Sequence, residues 1–147
     1  MPLFTLQVTP SGPMVDAFIG VSAGRAAALQ QAQQAIPPPQ RIRALIDTGA
    51  SGSCLDPLVI KALGIQPTGS VGVNTPTTGM TPAICNQYDV SIVIPAPKGV
   101  PFQVPTTAVT EHEFFGAQGF HALIGRDILS RCLLIYNGQL GLFTLGY

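Results

Sequence analysis

Leu45-Ile46-Asp47-Thr48-Gly49-Ala50-Ser51 is the stretch on which the fold turns. Ala44-Leu45-Ile46 is an apolar run that drives a buried strand up to a carboxylate, and Thr48-Gly49 then turns the chain sharply. Taken alone, Asp47-Thr48-Gly49 reads as an Asx turn, with the carboxylate accepting bonds from nearby backbone N–H groups. Downstream, Ala122-Leu123-Ile124-Gly125-Arg126-Asp127-Ile128-Leu129 answers it with a second apolar run ended by glycine. The two segments together ask for more than an ordinary turn.

Outward from Asp47, alternating or continuous apolar segments predict strands over 3–8, 14–21, 42–46, 71–74, 83–94, 103–109, 133–136 and 141–145. Fourteen Pro and 16 Gly punctuate them as short strands with tight turns require, so the chain reads as all-β or mostly β. Asn137-Gly138 predicts a tight type I′ turn in a C-terminal hairpin, because both central positions tolerate positive φ. Residues 22–41 differ. Ala and Gln dominate up to Ile36-Pro37-Pro38-Pro39, which predicts a helix stopped by proline within an insertion, either mobile or packed, since alanine offers little surface to bury. Short helices are expected over 57–63, closed by Gly64, and over 126–131.

The 147 residues fit a single domain, 1–147. Seven Lys and Arg balance seven Asp and Glu with no basic run, which argues against a nucleic-acid surface. The first residues lack a basic n-region, and Asp16 interrupts the apolar stretch that follows, so neither a signal peptide nor a membrane partner is expected. Cys54, Cys85 and Cys132 are odd in number and widely spaced. They suit thiols in a reducing, cytoplasmic compartment better than a disulfide frame. Only 10% of residues are charged while 46% are hydrophobic, a balance that favours covering part of the surface with a partner.

The pairing of Asp47-Thr48-Gly49-Ala50-Ser51 with Leu123-Ile124-Gly125 resembles the two signatures of the retropepsin-like aspartic proteases, and the resemblance spans residues 14–147 apart from the insertion. It implies a closed, barrel-like β subunit with short helices, one lobe per chain, acting as a homodimeric endopeptidase. Such chemistry needs two facing carboxylates that share a proton, one acting as general base on a water and the other as general acid on the scissile carbonyl; aspartic proteases are a standard instance of paired-carboxylate tuning. One such motif per chain means that the second carboxylate comes from Asp47 of another copy. Neither a metal nor an organic cofactor is required.

The same resemblance assigns Thr48 a clasp on the partner's loop, Gly49 the close approach of the two loops, and Leu123, Ile124 and Gly125 the support beneath them. It also implies a hairpin flap, for which Thr77, Thr78, Gly79 and Met80 are the candidates; the plainer reading of 73–82 is a long polar loop. Substrate would be a polypeptide bound in extended conformation, with apolar residues at the cleavage point. Viral members pair the Arg of the second motif with an acid near the fourth position after the catalytic one, where Ser51 stands here. Arg126 is left with Asp56, Asp127 or nothing.

Other groups weigh less. Glu111-His112-Glu113-Phe114-Phe115-Gly116 starts like a zinc-protease motif but has Gly116 where the second His is needed. Ser51 and Ser53 have no adjacent His to activate them. Cys54 reads first as a small buried hydrophobe and second as a thiol that lines the cleft or reacts with oxidants, and Phe114, Phe115 and Phe120 read as a core or interface cluster, core being the plainer reading. The rival class is a non-catalytic binding or dimerisation module that holds an extended peptide in the same cleft.

Overall fold

The computed structural model describes residues 1–147. The strongest alternations become β2 (Met14–Val21) and β6 (Ala83–Ile94), and the run leading to Asp47 becomes β3 (Gln40–Ile46). With β4 (Cys54–Leu55), β7 (Phe102–Glu111) and β8 (Ala122–Ile124), they form a ring in the order β2-β3-β8-β4-β7-β6, which closes because Phe18 to Val21 of β2 pair back onto β6. The structure is thus a closed six-stranded β-barrel with short helices. Its interior is filled by Val15, Ala17, Ile19, Ile42, Ala44, Ile46, Val90, Ile92 and Ile124. Alternation along each strand sends these side chains inward, and their burial is the main stabilising contribution.

A separate three-stranded sheet, β1-β10-β9, is built from β1 (Leu3–Gln7), β9 (Leu133–Asn137) and β10 (Leu142–Gly146). Phe4, Phe143 and Leu145 pack one of its faces into the main core. The C-terminal hairpin is present, but its turn differs from the expected type I′. Residues 138–141 form a four-residue loop in which Gly141 takes positive φ (63°) and the Asn137 side chain accepts the Leu140 N–H at 3.0 Å. That Asx bond, with a left-handed glycine closing the loop, replaces the two positive-φ residues of the tighter turn.

Residues 22–41 connect β2 to its antiparallel neighbour β3. Here α1 (Ala23–Gln31) is capped by Ser22, whose Oγ accepts the Arg25 N–H at 3.2 Å; Leu29 is its one buried side chain. The Ala23 N–H donates to Thr106 Oγ1 at 3.3 Å, so the helix is tied to β7. The expected boundary at 41 is too late. Gln40 and Arg41 already belong to β3, because Ile19 and Phe18 pair with them, and Arg41 meets Asp16 at 2.7 Å.

Asp56 caps α2 (Pro57–Leu63), Pro57 opens it and Gly64 (φ 62°) closes it. The helix after Gly125, α4 (Arg126–Leu129), is shorter than expected, and α3 (Phe115–Gln118) was not anticipated. No helix is long and apolar enough to cross a membrane.

Candidate active site

Asp47 leaves the end of β3 and enters a turn fixed from both sides. Its N–H donates to the Ile124 carbonyl (3.0 Å), and its own carbonyl accepts the Ala50 N–H (3.3 Å). Carboxylate oxygen Oδ1 accepts the Gly49 N–H at 2.8 Å, whereas Oδ2 has no partner within the chain. The Asx-turn bond is therefore real and leaves half of the carboxylate free. A Cβ on Gly49 would stand 3.1 Å from Oδ1, so glycine lets the turn close tightly on the acid.

Beneath the turn, β8 runs parallel to β3, with Ala122, Leu123 and Ile124 opposite Ala44, Leu45 and Ile46. The two predicted motifs are thus side by side. Gly125 touches the turn so closely that an added Cβ would lie 2.6 Å from the Gly52 carbonyl oxygen. Arg126 N–H donates to Ala50 O (2.9 Å) and Asp127 N–H to Ser51 O (3.2 Å). The question of Arg126's partner resolves to neither acid. Its guanidinium donates to the carbonyls of Thr48 (2.7 Å) and Gly49 (3.1 Å), binding the turn's backbone in the absence of an acid at position 51.

Three residues, Ser53, Asp127 and Asp56, matter more here than their sequence suggests. Buried Ser53 donates its hydroxyl to Asp127 Oδ1 (2.8 Å) and accepts the Gly125 N–H (3.0 Å), while its own N–H donates to Asp127 Oδ2 (3.0 Å). Ser53 and Asp127 hold the two motifs together, and only the three-dimensional pairing of the segments reveals it. Asp56 is likewise buried, accepting N–H bonds from Leu58 (2.9 Å), Phe114 (2.8 Å) and Phe115 (2.8 Å). Burial opposes its charge, but those donors outweigh it and hold its carboxyl below the ordinary value.

Asp47 lies at a cleft of about 720 Å³. Ala50 and Ser51 share its floor, Cys54, Ala108, Thr110, Phe114 and Leu123 contribute walls, and Val71 to Pro76 approach from a hairpin above. That hairpin pairs β5 (Gly69–Val73) with the outer part of β6. The flap candidates lie at its tip but do not themselves line the cleft. Thr78 folds back on Thr75 through its N–H (3.0 Å) and its hydroxyl (2.9 Å), Gly79 takes positive φ (61°) and Met80 is fully exposed. Thr48 is exposed beside the turn, with its hydroxyl unengaged in the chain.

Phe114 and Phe120 form a small buried cluster with Met14 behind Leu45, Cys54 and Leu123. Phe115 departs from the expected core role: it is exposed and stacks on His121 at 4.6 Å.

No protein-family model matches the chain, and no curated protein matches it in sequence. Among solved structures, it is similar to a retropepsin-like aspartic protease from Rickettsia conorii, with a TM-score of 0.58 and 18% identity over 99% of this chain and 91% of that one. The fold is the retropepsin-like fold.

Proposed function

We propose that this chain is one half of an aspartic endopeptidase and that two copies assemble a site from two Asp47 carboxylates. The observation that carries the reading is the Asp47 turn: a carboxylate at the floor of a peptide-sized cleft, with Oδ1 tethered and Oδ2 free. With a second such group facing it, one proton is shared, the ionised oxygen draws a proton from a trapped water, and the protonated one donates to the carbonyl under attack. The tetrahedral species then collapses with proton transfer to the leaving amine. Apolar walls from Val71, Val73, Phe114 and Leu123 suit apolar side chains at the cleavage point.

The outer edge of β9 supports the two-copy arrangement. β1, β9 and β10 contain no charged residue and no proline, β9 pairs on one side only, and Leu133, Ile135 and Tyr136 are exposed on it. Edge strands that remain unpartnered are normally blunted by charge or proline. β9 also follows α4, which adjoins the Asp47 turn. In this reading, β9 meets its two-fold copy and brings the turns together, and residues 74–82 close over an extended peptide.

The test is cleavage of an unstructured protein from acid to neutral pH, at concentrations spanning dimer dissociation, for the parent and Asp47→Asn. Activity that rises more steeply than enzyme concentration and is lost in the variant supports the shared site. Two inert proteins that both dimerise and both retain an extended peptide favour the binding module.

A further inference from the structure

Two of the three cysteines line the same cleft. Cys54 stands on β4 beside the Asp47 turn, where it accepts the Thr110 hydroxyl at 3.1 Å. Cys85 stands on β6 beyond the last residue paired with β7: Gln87 opposes Thr110, and Ala83 to Asn86 pair with β5 alone. It therefore rides on the two-stranded ribbon that roofs the cleft. Cys132 is elsewhere, packed against the main core.

We propose that Cys54 and Cys85 form an oxidative latch, a disulfide that draws the ribbon onto the floor of the cleft and closes it to peptide; the loss of activity this entails rests on the endopeptidase reading. The register fixes what the latch requires. Cys54 opposes Thr110 and Thr110 opposes Gln87, with Cys85 two residues further along the same face. Flat-sheet spacings would put the two Cα atoms roughly 12 Å apart, whereas a disulfide needs about 4.4–6.8 Å. The bond forms only when the ribbon curls over the sheet and carries Cys85 about 6 Å toward Cys54. A two-stranded ribbon paired on one side only has little to resist that movement.

The chemistry is thiol–disulfide exchange with a small-molecule disulfide such as oxidised glutathione. The Cys85 thiolate attacks one glutathione sulfur, breaking its S–S bond, forming a mixed disulfide and releasing one glutathione thiolate. Cys54 loses its proton to solvent and attacks the Cys85 sulfur. This forms the Cys54–Cys85 bond and expels the second glutathione, so two protein thiols are oxidised and one glutathione disulfide is reduced. Burial pushes the Cys54 thiol up, with the nearby Asp127, Cys85 and Asp47 charges adding to it against the Thr110 hydroxyl. The first attack accordingly falls to the residue on the ribbon.

The test treats the reduced full-length chain with oxidised glutathione and maps disulfides by non-reducing peptide mass spectrometry in the parent, Cys54→Ala, Cys85→Ser and Cys132→Ser. The expected result is a Cys54–Cys85 peptide in the parent and in Cys132→Ser, absent from the other two. Hydrogen exchange over 69–87 should slow by at least tenfold on oxidation, and cleavage activity should fall by at least tenfold and return with dithiothreitol. Glutathione adducts alone, or bonds that require Cys132, would overturn the latch. So would a Cys54–Cys85 bond that leaves ribbon exchange unchanged. If the reduced protein cleaves nothing, the endopeptidase reading fails by itself and the disulfide map with the exchange data still decides the latch.

Discussion

The turn that carries Asp47 and the ribbon above it are held in opposite ways. Around the turn, backbone and side-chain bonds from Ile124, Arg126, Asp127 and Ser53 cross from one motif to the other, and Gly125 is packed against Gly52 with no space for a methyl group. In the ribbon, bonds run between β5, with Thr68 before it, and β6, and the tip is held by bonds among Thr75, Thr77 and Thr78. The floor is cross-bonded between two motifs, whereas the ribbon is bonded mainly within itself. On the proposed endopeptidase reading, a fixed carboxylate and a roof that opens to a peptide would both be needed.

The sharpest way to break the contrast is at Asp47 itself. Asp47→Asn retains the oxygen that accepts the Gly49 N–H, so unfolding free energy should stay within about 0.5 kcal/mol, while peptide cleavage falls by about 10²–10⁴-fold. Parallel melts and progress curves decide it. At the next level, Gly125→Ala forces a methyl group into the Gly52 carbonyl, and urea unfolding should register a loss of about 1–3 kcal/mol. Ser53→Ala leaves the buried Gly125 N–H without its acceptor and Asp127 Oδ1 with the Ile128 N–H as its one remaining donor, and a loss of about 1–2 kcal/mol is expected in the same assay.

Acid exposes a subtler difference. Because the folded Asp56 carboxyl lies below its ordinary value, the folded state holds the proton less readily than the unfolded one. Its stabilising contribution is complete above the unfolded value, about 3.9, and is lost as pH falls through the lower folded value. The melting temperature should therefore drop over that range, and Asp56→Asn should drop less steeply. The roof yields the smallest change in stability. Met80→Ser, at a fully exposed position, should shift unfolding by less than about 0.5 kcal/mol, while changing KM for a peptide substrate a few-fold. A large stability loss at Met80 would mean that the tip is part of the packed structure.

Much of this was legible in the chain. Period-two alternation at 14–21 and 83–94 placed β2 and β6, the two strands whose pairing closes the barrel, and Pro57 with Gly64 bounded α2, because these signals are local. The juxtaposition of Asp47 with Gly125 was legible as a resemblance between motifs. The two-residue β4 and three-residue β8 were not read as strands, since segments so short acquire their conformation from the neighbours they pair with. Ser53 and Asp127 carry no local mark of their roles, because most of their bonds reach partners more than 50 positions away, and at Asp56 the cap of α2 is local while the bonds to Phe114 and Phe115 are not. The Asn137-Gly138 turn illustrates the converse, a strong local preference displaced by an equally local side-chain bond to Leu140.

One strand joins the ribbon to the barrel core. β6 runs unbroken for 12 residues, from Ala83 in the ribbon to Ile94 in the core, shifting register only between Val90 and Ile92. No hinge loop separates the segment a ligand would touch from the segment around which the barrel is packed. A ligand seated against Cys85 and Gln87 binds a surface that exists only while β6 is paired in the folded barrel, so its binding free energy adds to the stability of the whole molecule. Thermal shift in the presence of a ligand then becomes a direct reading of cleft affinity.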